Sequence, residues 1–188
     1  MEYGCIGEKL GHSFSKEIHN ALASYEYSLK EIKREELPEF FRNKDFKAIN
    51  VTIPYKQDVI EFLDWISDEA KSINAVNTIV NKNGKLYGYN TDFFGLKLLI
   101  EKNNIEIINK TVLILGSGGT SKTAKAVCKD LGAKEIFTVS RSGGEGLITY
   151  EEAYTKNAQI IINTTPLGMY PNIDAKPIKL EGFNGLEA

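Results

Sequence analysis

Four consecutive aliphatic residues, Val112-Leu113-Ile114-Leu115, run directly into Gly116-Ser117-Gly118-Gly119-Thr120-Ser121, and a helical pattern with Ala124, Ala126 and Val127 follows. No other feature restricts the fold as much. An apolar run without alternation suits a strand buried on both faces, and parallel sheets bury both faces. Glycines allow the tight turn and a close backbone approach, and the helix behind them presents unpaired N–H groups. Further strands are expected at 136–139 and 160–162, separated by a glycine loop at 143–146 and a short helix at 150–155. The resulting βαβαβ order implies right-handed crossovers and half of a doubly wound sheet. Residues 102–109 are polar and form the expected linker.

The glycine turn has the flanks of a dinucleotide-binding turn, with pyrophosphate expected on the helix N-terminus. Its third small position is Ser121 instead of glycine, and no GK[ST] ending makes it a P-loop. A glycine turn without a ligand is the bland alternative. About 20 residues further on, where such a sheet reads the adenosine ribose, stands Ser140-Arg141-Ser142. An NAD enzyme usually places an acid there. An arginine flanked by hydroxyls suits a 2′-phosphate and can stack on adenine, so NADP is expected before NAD. A solvated loop arginine is the alternative.

Before the linker the chain also alternates strands and helices. Strands are expected at 3–7, 25–32 and 48–53, helices at 15–24, 34–43, 56–63, 68–72 and 92–102, and a hairpin turning at Asn83-Gly84. In Asn50-Val51-Thr52-Ile53-Pro54-Tyr55-Lys56 a strand end delivers Thr52, proline turns the chain, and Lys56 opens the next segment. A lysine is ordinarily a solvated surface group, but one projecting into a cleft can exchange a proton. Asp92 sits where a helix starts, which also describes a cap or first-turn acid. Asn77 interrupts an apolar strand and needs a partner there. Ser15 reads as the N-cap of the first helix. Spacing alone does not bring these residues together.

Composition removes several function classes. Lys and Arg number 23 against 25 Asp and Glu, a net charge of −2, so no basic excess favours nucleic acid. No apolar run has the length of a membrane span, and Glu2-Tyr3-Gly4 does not begin a signal peptide. Cys5 and Cys128 make no CxxC, and His12 and His19 lack a supporting cluster, so neither a disulfide framework nor a metal site is expected. A cytoplasmic protein is expected.

In order along the chain stand Ile6-Gly7, Gly11-His12-Ser13-Phe14-Ser15, His19-Asn20, the segment from Asn50 to Lys56, Ala75-Val76-Asn77-Thr78, Gly88-Tyr89-Asn90-Thr91-Asp92, the glycine turn, and Asn163-Thr164-Thr165-Pro166-Leu167-Gly168-Met169. Together they resemble the shikimate dehydrogenase family. The resemblance implies an α/β chain: an N-terminal α/β substrate domain with a mainly parallel sheet over 1–102, and a partial Rossmann-like NADP-binding domain over 103–188, with the active site in the cleft between them. It implies NADP-dependent, reversible reduction of 3-dehydroshikimate to shikimate, in aromatic amino-acid (chorismate) biosynthesis. Lys56 and Asp92 would be catalytic. Ser13, Ser15, Thr52, Lys56, Asn77 and Asp92 would bind substrate. Gly116, Ser117, Gly118, Gly119 and Thr120 would hold pyrophosphate, and Ser140, Arg141 and Ser142 the 2′-phosphate. Asp68 would lie near the cofactor, and Thr164 and Thr165 near the nicotinamide side.

The chain departs from the family pattern at Lys16, where proline is usual, at Ser140, where asparagine is usual, and in the glycine-acidic loop after Arg141. The family continues for roughly another half-domain, by the same six-strand reasoning. That region carries a tyrosine and a glutamine at the substrate. The 188-residue chain alone is therefore expected to be poorly active, with residues 177–188 a mere connection and the strand at 160–162 an open edge. Two alternatives follow: a quinate/shikimate dehydrogenase using NAD, and a ligand-binding module without turnover. A homodimer, and fusion to another domain in the natural chain, are further expectations.

Overall fold

The computed structural model describes residues 1–11 and 13–188; His12 and any role read for it lie outside the described residues. The chain divides into two compact units, Met1–Thr91 and Asp92–Ala188.

In the first unit, β1 (Tyr3–Gly7), α1 (Ser15–Leu22), β2 (Tyr27–Glu31), α2 (Leu37–Asn43) and β3 (Ala48–Val51) come first, then β4 (Trp65–Ile66), α3 (Asp68–Ile73), β5 (Thr78–Lys82) and β6 (Lys85–Tyr89). They build a six-stranded sheet in the order β2-β1-β3-β5-β6-β4. β1 is parallel to β2 and β3, as helical crossovers require, and β4 is parallel to β6. β5 is antiparallel to β3 and β6. Asn83 and Gly84, at φ 54° and 81°, make the hairpin turn that a right-handed strand twist favours. Ile6, Ile49, Val51, Tyr55, Val59 and Ile79 fill the core with Phe41 and Phe46 from the α2 side.

The helix expected over 56–63 is instead a 3-10 segment, Asp58–Phe62. Its Val59 and Phe62, and its Ile60 with Leu63 just after it, are spaced in threes, and a three-residue turn stacks such pairs. β4 was not expected, since a two-residue strand has no period to read.

The second unit contains α4 (Thr91–Lys102, whose first residue belongs to the first unit), β7 (Thr111–Leu115), α5 (Gly119–Asp130), β8 (Glu135–Val139), β9 (Leu147–Ile148), α6 (Tyr150–Ala153) and β10 (Ile160–Asn163). The four-stranded sheet has the order β10-β7-β8-β9, and every pair in it is parallel. All of β7 is buried, as its unbroken aliphatic run requires. Where three strands were expected there are four: β9 extends β8 through Thr138↔Leu147 and Val139↔Ile148. The sequence boundary after Lys102 falls at the far end of α4. Lys97 Nζ lies 2.8 Å from Asp130 Oδ2, which ties α4 to α5.

The far side of β10 is not bare. Ile161 N–H donates to the Ala188 carbonyl at 2.8 Å, and Glu187 N–H to the Gln159 carbonyl at 2.8 Å. Ile178, Phe183 and Leu186 pack with Leu113, Leu115 and Ile161. Residues 178–188 thus cover this strand, because their spaced apolar side chains find a core that sequence reading had treated as open.

Candidate functional site

In the first unit a cavity of about 560 Å³ is lined by Cys5, Leu10, Ser13, Ser15, Thr52 and Pro54 among others. Backbone bonds assemble it. Thr52 N–H donates to the Ile6 carbonyl at 3.0 Å, which holds the end of β3 against β1, and Ser13 N–H donates to the Leu10 carbonyl at 2.9 Å. Ser15 is not the helix cap: Phe14 holds the N-cap position without a side-chain bond, and Ser15 is the first helical residue. Its hydroxyl accepts from Ser13 Oγ at 3.2 Å, so the two hydroxyls stand together at the cavity.

Lys56 stands two residues after Pro54 of this lining, half-buried, with its carbonyl accepting from Val76 N–H at 2.7 Å. Burial pushes the Cys5 thiol up in pKa, and the Lys56 ammonium offsets part of that rise. Asn77 is buried just ahead of β5. Its Oδ1 accepts from Thr91 N–H at 2.8 Å, from Thr91 Oγ1 at 3.1 Å and from Thr78 Oγ1 at 3.1 Å. The partner a polar residue needs in this apolar stretch is thus the start of α4. Asp92 is exposed in the first turn of α4. Asp68 opens α3 after the Ser67 cap and pairs with Lys71 at 3.2 Å.

In the second unit a cavity of about 360 Å³ is lined by Gly116, Ser117, Gly118, Ser140, Arg141, Thr164 and Thr165. It lies at the carboxyl ends of β7, β8 and β10, the place where parallel sheets bind ligands. Thr164 Oγ1 donates to the Leu115 carbonyl at 2.7 Å, and Thr165 Oγ1 to Asn163 Oδ1 at 2.7 Å. Gly119 and Thr120 open α5, and Ser142 is exposed beyond Arg141; none of these three lines the cavity.

A dinucleotide phosphate fits these residues. The N-terminus of α5 has neither a side-chain cap nor an acid in its first turn, leaving its N–H groups to an anion. A Cβ on Gly118 or Gly119 would meet nothing within 4 Å, so the packing of the chain itself does not demand glycine there. Arg141 is the one charged side chain lining the cavity among the described residues. Tyr150 lines it too, and so do Pro166 and Leu167. Sequence reading missed Tyr150 and Cys5 as lining residues, because a strand thiol and a helix-start tyrosine carry the pattern of ordinary core positions.

The chain is similar to known shikimate dehydrogenases. The model of the shikimate dehydrogenase substrate binding domain matches residues 5–79. A shikimate dehydrogenase (NADP(+)) of Clostridium beijerinckii is 44% identical over 98% of this chain and 76% of its own length. A solved chorismate mutase/shikimate 5-dehydrogenase fusion protein from Clostridium acetobutylicum is 36% identical, with a TM-score of 0.86 over 96% of this chain and 72% of that one. Shikimate 5-dehydrogenase from Thermus thermophilus, solved in complex with NADP(H) and shikimate, is 26% identical, with a TM-score of 0.81 over 97% of this chain and 75% of that one.

Proposed function

This chain belongs to the shikimate dehydrogenase family, and from that premise we propose that it interconverts 3-dehydroshikimate and shikimate with NADP, a step of chorismate and aromatic amino-acid biosynthesis. One observation carries the reading: Ser13, Ser15 and Thr52 share a cavity whose lining ends at Pro54, two residues before Lys56. A ring bearing several hydroxyls and one carboxylate calls for such a lining of short hydroxyl side chains beside a cation.

In this reading Ser13, Ser15, Thr52, Asn77 and Asp92 hold substrate hydroxyls and the carboxylate. Asn77 offers its Nδ2 end, since Oδ1 is engaged by Thr91 and Thr78. Lys56 moves the proton at the oxygen being reduced or oxidised, and its ammonium stabilises negative charge that gathers there. NADP, when bound, supplies or takes the hydride. Gly116, Ser117, Gly118, Gly119 and Thr120 would hold its pyrophosphate, Ser140, Arg141 and Ser142 its 2′-phosphate, and Thr164 and Thr165 would face its nicotinamide side. Asp68 is proposed near the cofactor on the resemblance alone. The two free, buried cysteines suit a reducing compartment, and work in the cytoplasm is part of the reading. Among the described residues no helix is long and apolar enough to cross a membrane.

The test is a turnover series, shikimate and quinate each with NADP and NAD, followed at the reduced-nicotinamide absorbance. Turnover fastest with shikimate and NADP is expected. Preference for quinate with NAD overturns the substrate and cofactor assignment, and calorimetric binding without turnover overturns the enzyme.

A further inference from the structure

We infer that Tyr27 is a positioning residue that ties the cavity-lining start of α1 to Asn77, its ring holding α1 through His19 and its hydroxyl holding Asn77 through Asn50. The inference rests on the proposed roles of Ser15 and Asn77.

The first half of the tie follows from how little else holds α1. This two-turn helix buries none of its residues. Only Ser15 and His19 are even half-buried, and they stand four apart, on one face. A helix of this length does not hold its own pitch in water, so packing must set where Ser15 points. His19 provides that packing. Its ring lies flat on Tyr27, with centroids 3.9 Å apart and planes 8° apart. Its Nδ1 shares a 2.9 Å hydrogen bond with the Tyr25 hydroxyl, and Tyr25 in turn stacks on Tyr3 at 4.3 Å.

The second half runs through the tyrosine hydroxyl. Tyr27 is 2% exposed and packs with Cys5 and Leu10, both of which line the cavity. Its O–H donates to Asn50 Oδ1 at 2.6 Å. That bond decides which way the Asn50 amide faces, because only an acceptor satisfies a buried hydroxyl donor. Asn50 Nδ2 then donates to Thr78 Oγ1 at 3.1 Å and to the Asn77 carbonyl at 3.4 Å. The Thr78 O–H in turn donates to Asn77 Oδ1 at 3.1 Å. Every donor in the series finds an acceptor, so reversing the Asn50 amide would set donor against donor. Burial holds the Tyr27 hydroxyl protonated far above neutral pH, and it stays a donor. One buried side chain therefore orients both the Ser15 hydroxyl on α1 and the Asn77 amide, and neither depends on Tyr27 touching the substrate.

Two single variants separate the halves. Tyr27→Phe keeps the ring and loses the bond to Asn50. His19→Ala keeps that bond and releases α1. Each should raise the KM for shikimate about tenfold, the scale of one net hydrogen bond, with kcat within about threefold and the KM for NADP unchanged. His19→Phe retains a stacked ring and should recover most of the loss. Amide hydrogen exchange in the unliganded chain tests the tie without any substrate. Residues 17–22 should exchange faster in His19→Ala, and the Asn50 and Asn77 side-chain amide resonances should shift in Tyr27→Phe. A native chain that ignores shikimate while these exchange and resonance changes occur overturns the functional reading and leaves the tie standing. Unchanged shikimate KM in both variants, or unmoved exchange and resonances in chains that remain folded, overturns the inference.

Discussion

Thr164 Oγ1 stands 3.0 Å from where a Cβ on Gly116 would lie, and Gly116 itself has φ +102°. The glycine that leaves β7 is thus required twice, by backbone conformation and by the threonine hydroxyl bonded across to Leu115. Gly116→Ala should destabilise the chain by about 1–3 kcal/mol, the range for a residue forced into a disfavoured conformation. The denaturation midpoint with no ligand present checks this, and a native-like midpoint would mean that the turn relaxes.

Gly118 makes the opposite case. Its φ is −81°, and a Cβ there would meet nothing of the protein within 4 Å. Gly118→Val should leave stability within about 0.5 kcal/mol, as at an undemanding surface position. The same variant should weaken NADP at least tenfold by filling the space the phosphates need. Calorimetry of NADP binding beside a thermal melt reads both quantities. Unaltered NADP affinity would remove this turn from the cofactor site.

Lys56→Ala should lower kcat by about 10²–10⁴ while leaving substrate affinity within a few fold. The ammonium acts on charge that appears as the bond to hydrogen forms or breaks, so its loss falls on the transition state. Steady-state kinetics decide it. A rise in KM alone would recast Lys56 as a binding residue.

Arg141→Ala should harm NADP more than NAD. A charge-assisted pair with a 2′-phosphate is worth roughly 1.5–3 kcal/mol, which corresponds to roughly a ten- to hundredfold change in the ratio of kcat/KM values. Stacking on adenine, where present, would be lost for both cofactors alike. If the ratio does not move, the arginine at this cavity is not reading the phosphate.

Cys128 is fully buried, and burial pushes its thiol from 9.0 up to about 11. The thiolate is the reactive form, so at pH 8 a disulfide reagent should label Cys128 only after denaturation. The sign for stability follows. Folded Cys128 keeps its proton where the unfolded thiol has lost it, so its stabilising contribution is complete below pH 9.0 and declines as pH rises toward 11. Rapid labelling of Cys128 in the native chain at pH 8 would contradict its burial.

Some of the site was legible because its requirements act between neighbours along the chain. The glycine turn after four aliphatic residues, the Asn83-Gly84 hairpin and Thr52 at a strand end all follow from local sterics and periodicity. The strand Leu147–Ile148 did not, since two apolar residues after a glycine loop have no period and become a strand only because β8 offers a free edge. Ser15 read as a helix cap, since its neighbourhood is that of one. Its place as the first helical residue, with its hydroxyl against Ser13, depends on where α1 is docked. For the same reason the cover that residues 178–188 give β10 was read as a connection.

The sequence by itself determined the alternation of strands and helices, the glycine turn that follows β7, and the family to which Ser13, Thr52, Lys56, Asn77 and Asp92 point. Tertiary structure alone decided that Cys5 lines the cavity, that Asn77 presents one end of its amide to Thr91, and that Tyr27 joins His19 to Asn50. The physical reason is range. Backbone sterics and hydrophobic period act over a few residues and are written in consecutive letters. A hydrogen bond across 23 positions, such as Tyr27 to Asn50, exists only once the register of β2, β1 and β3 has fixed which residues lie side by side.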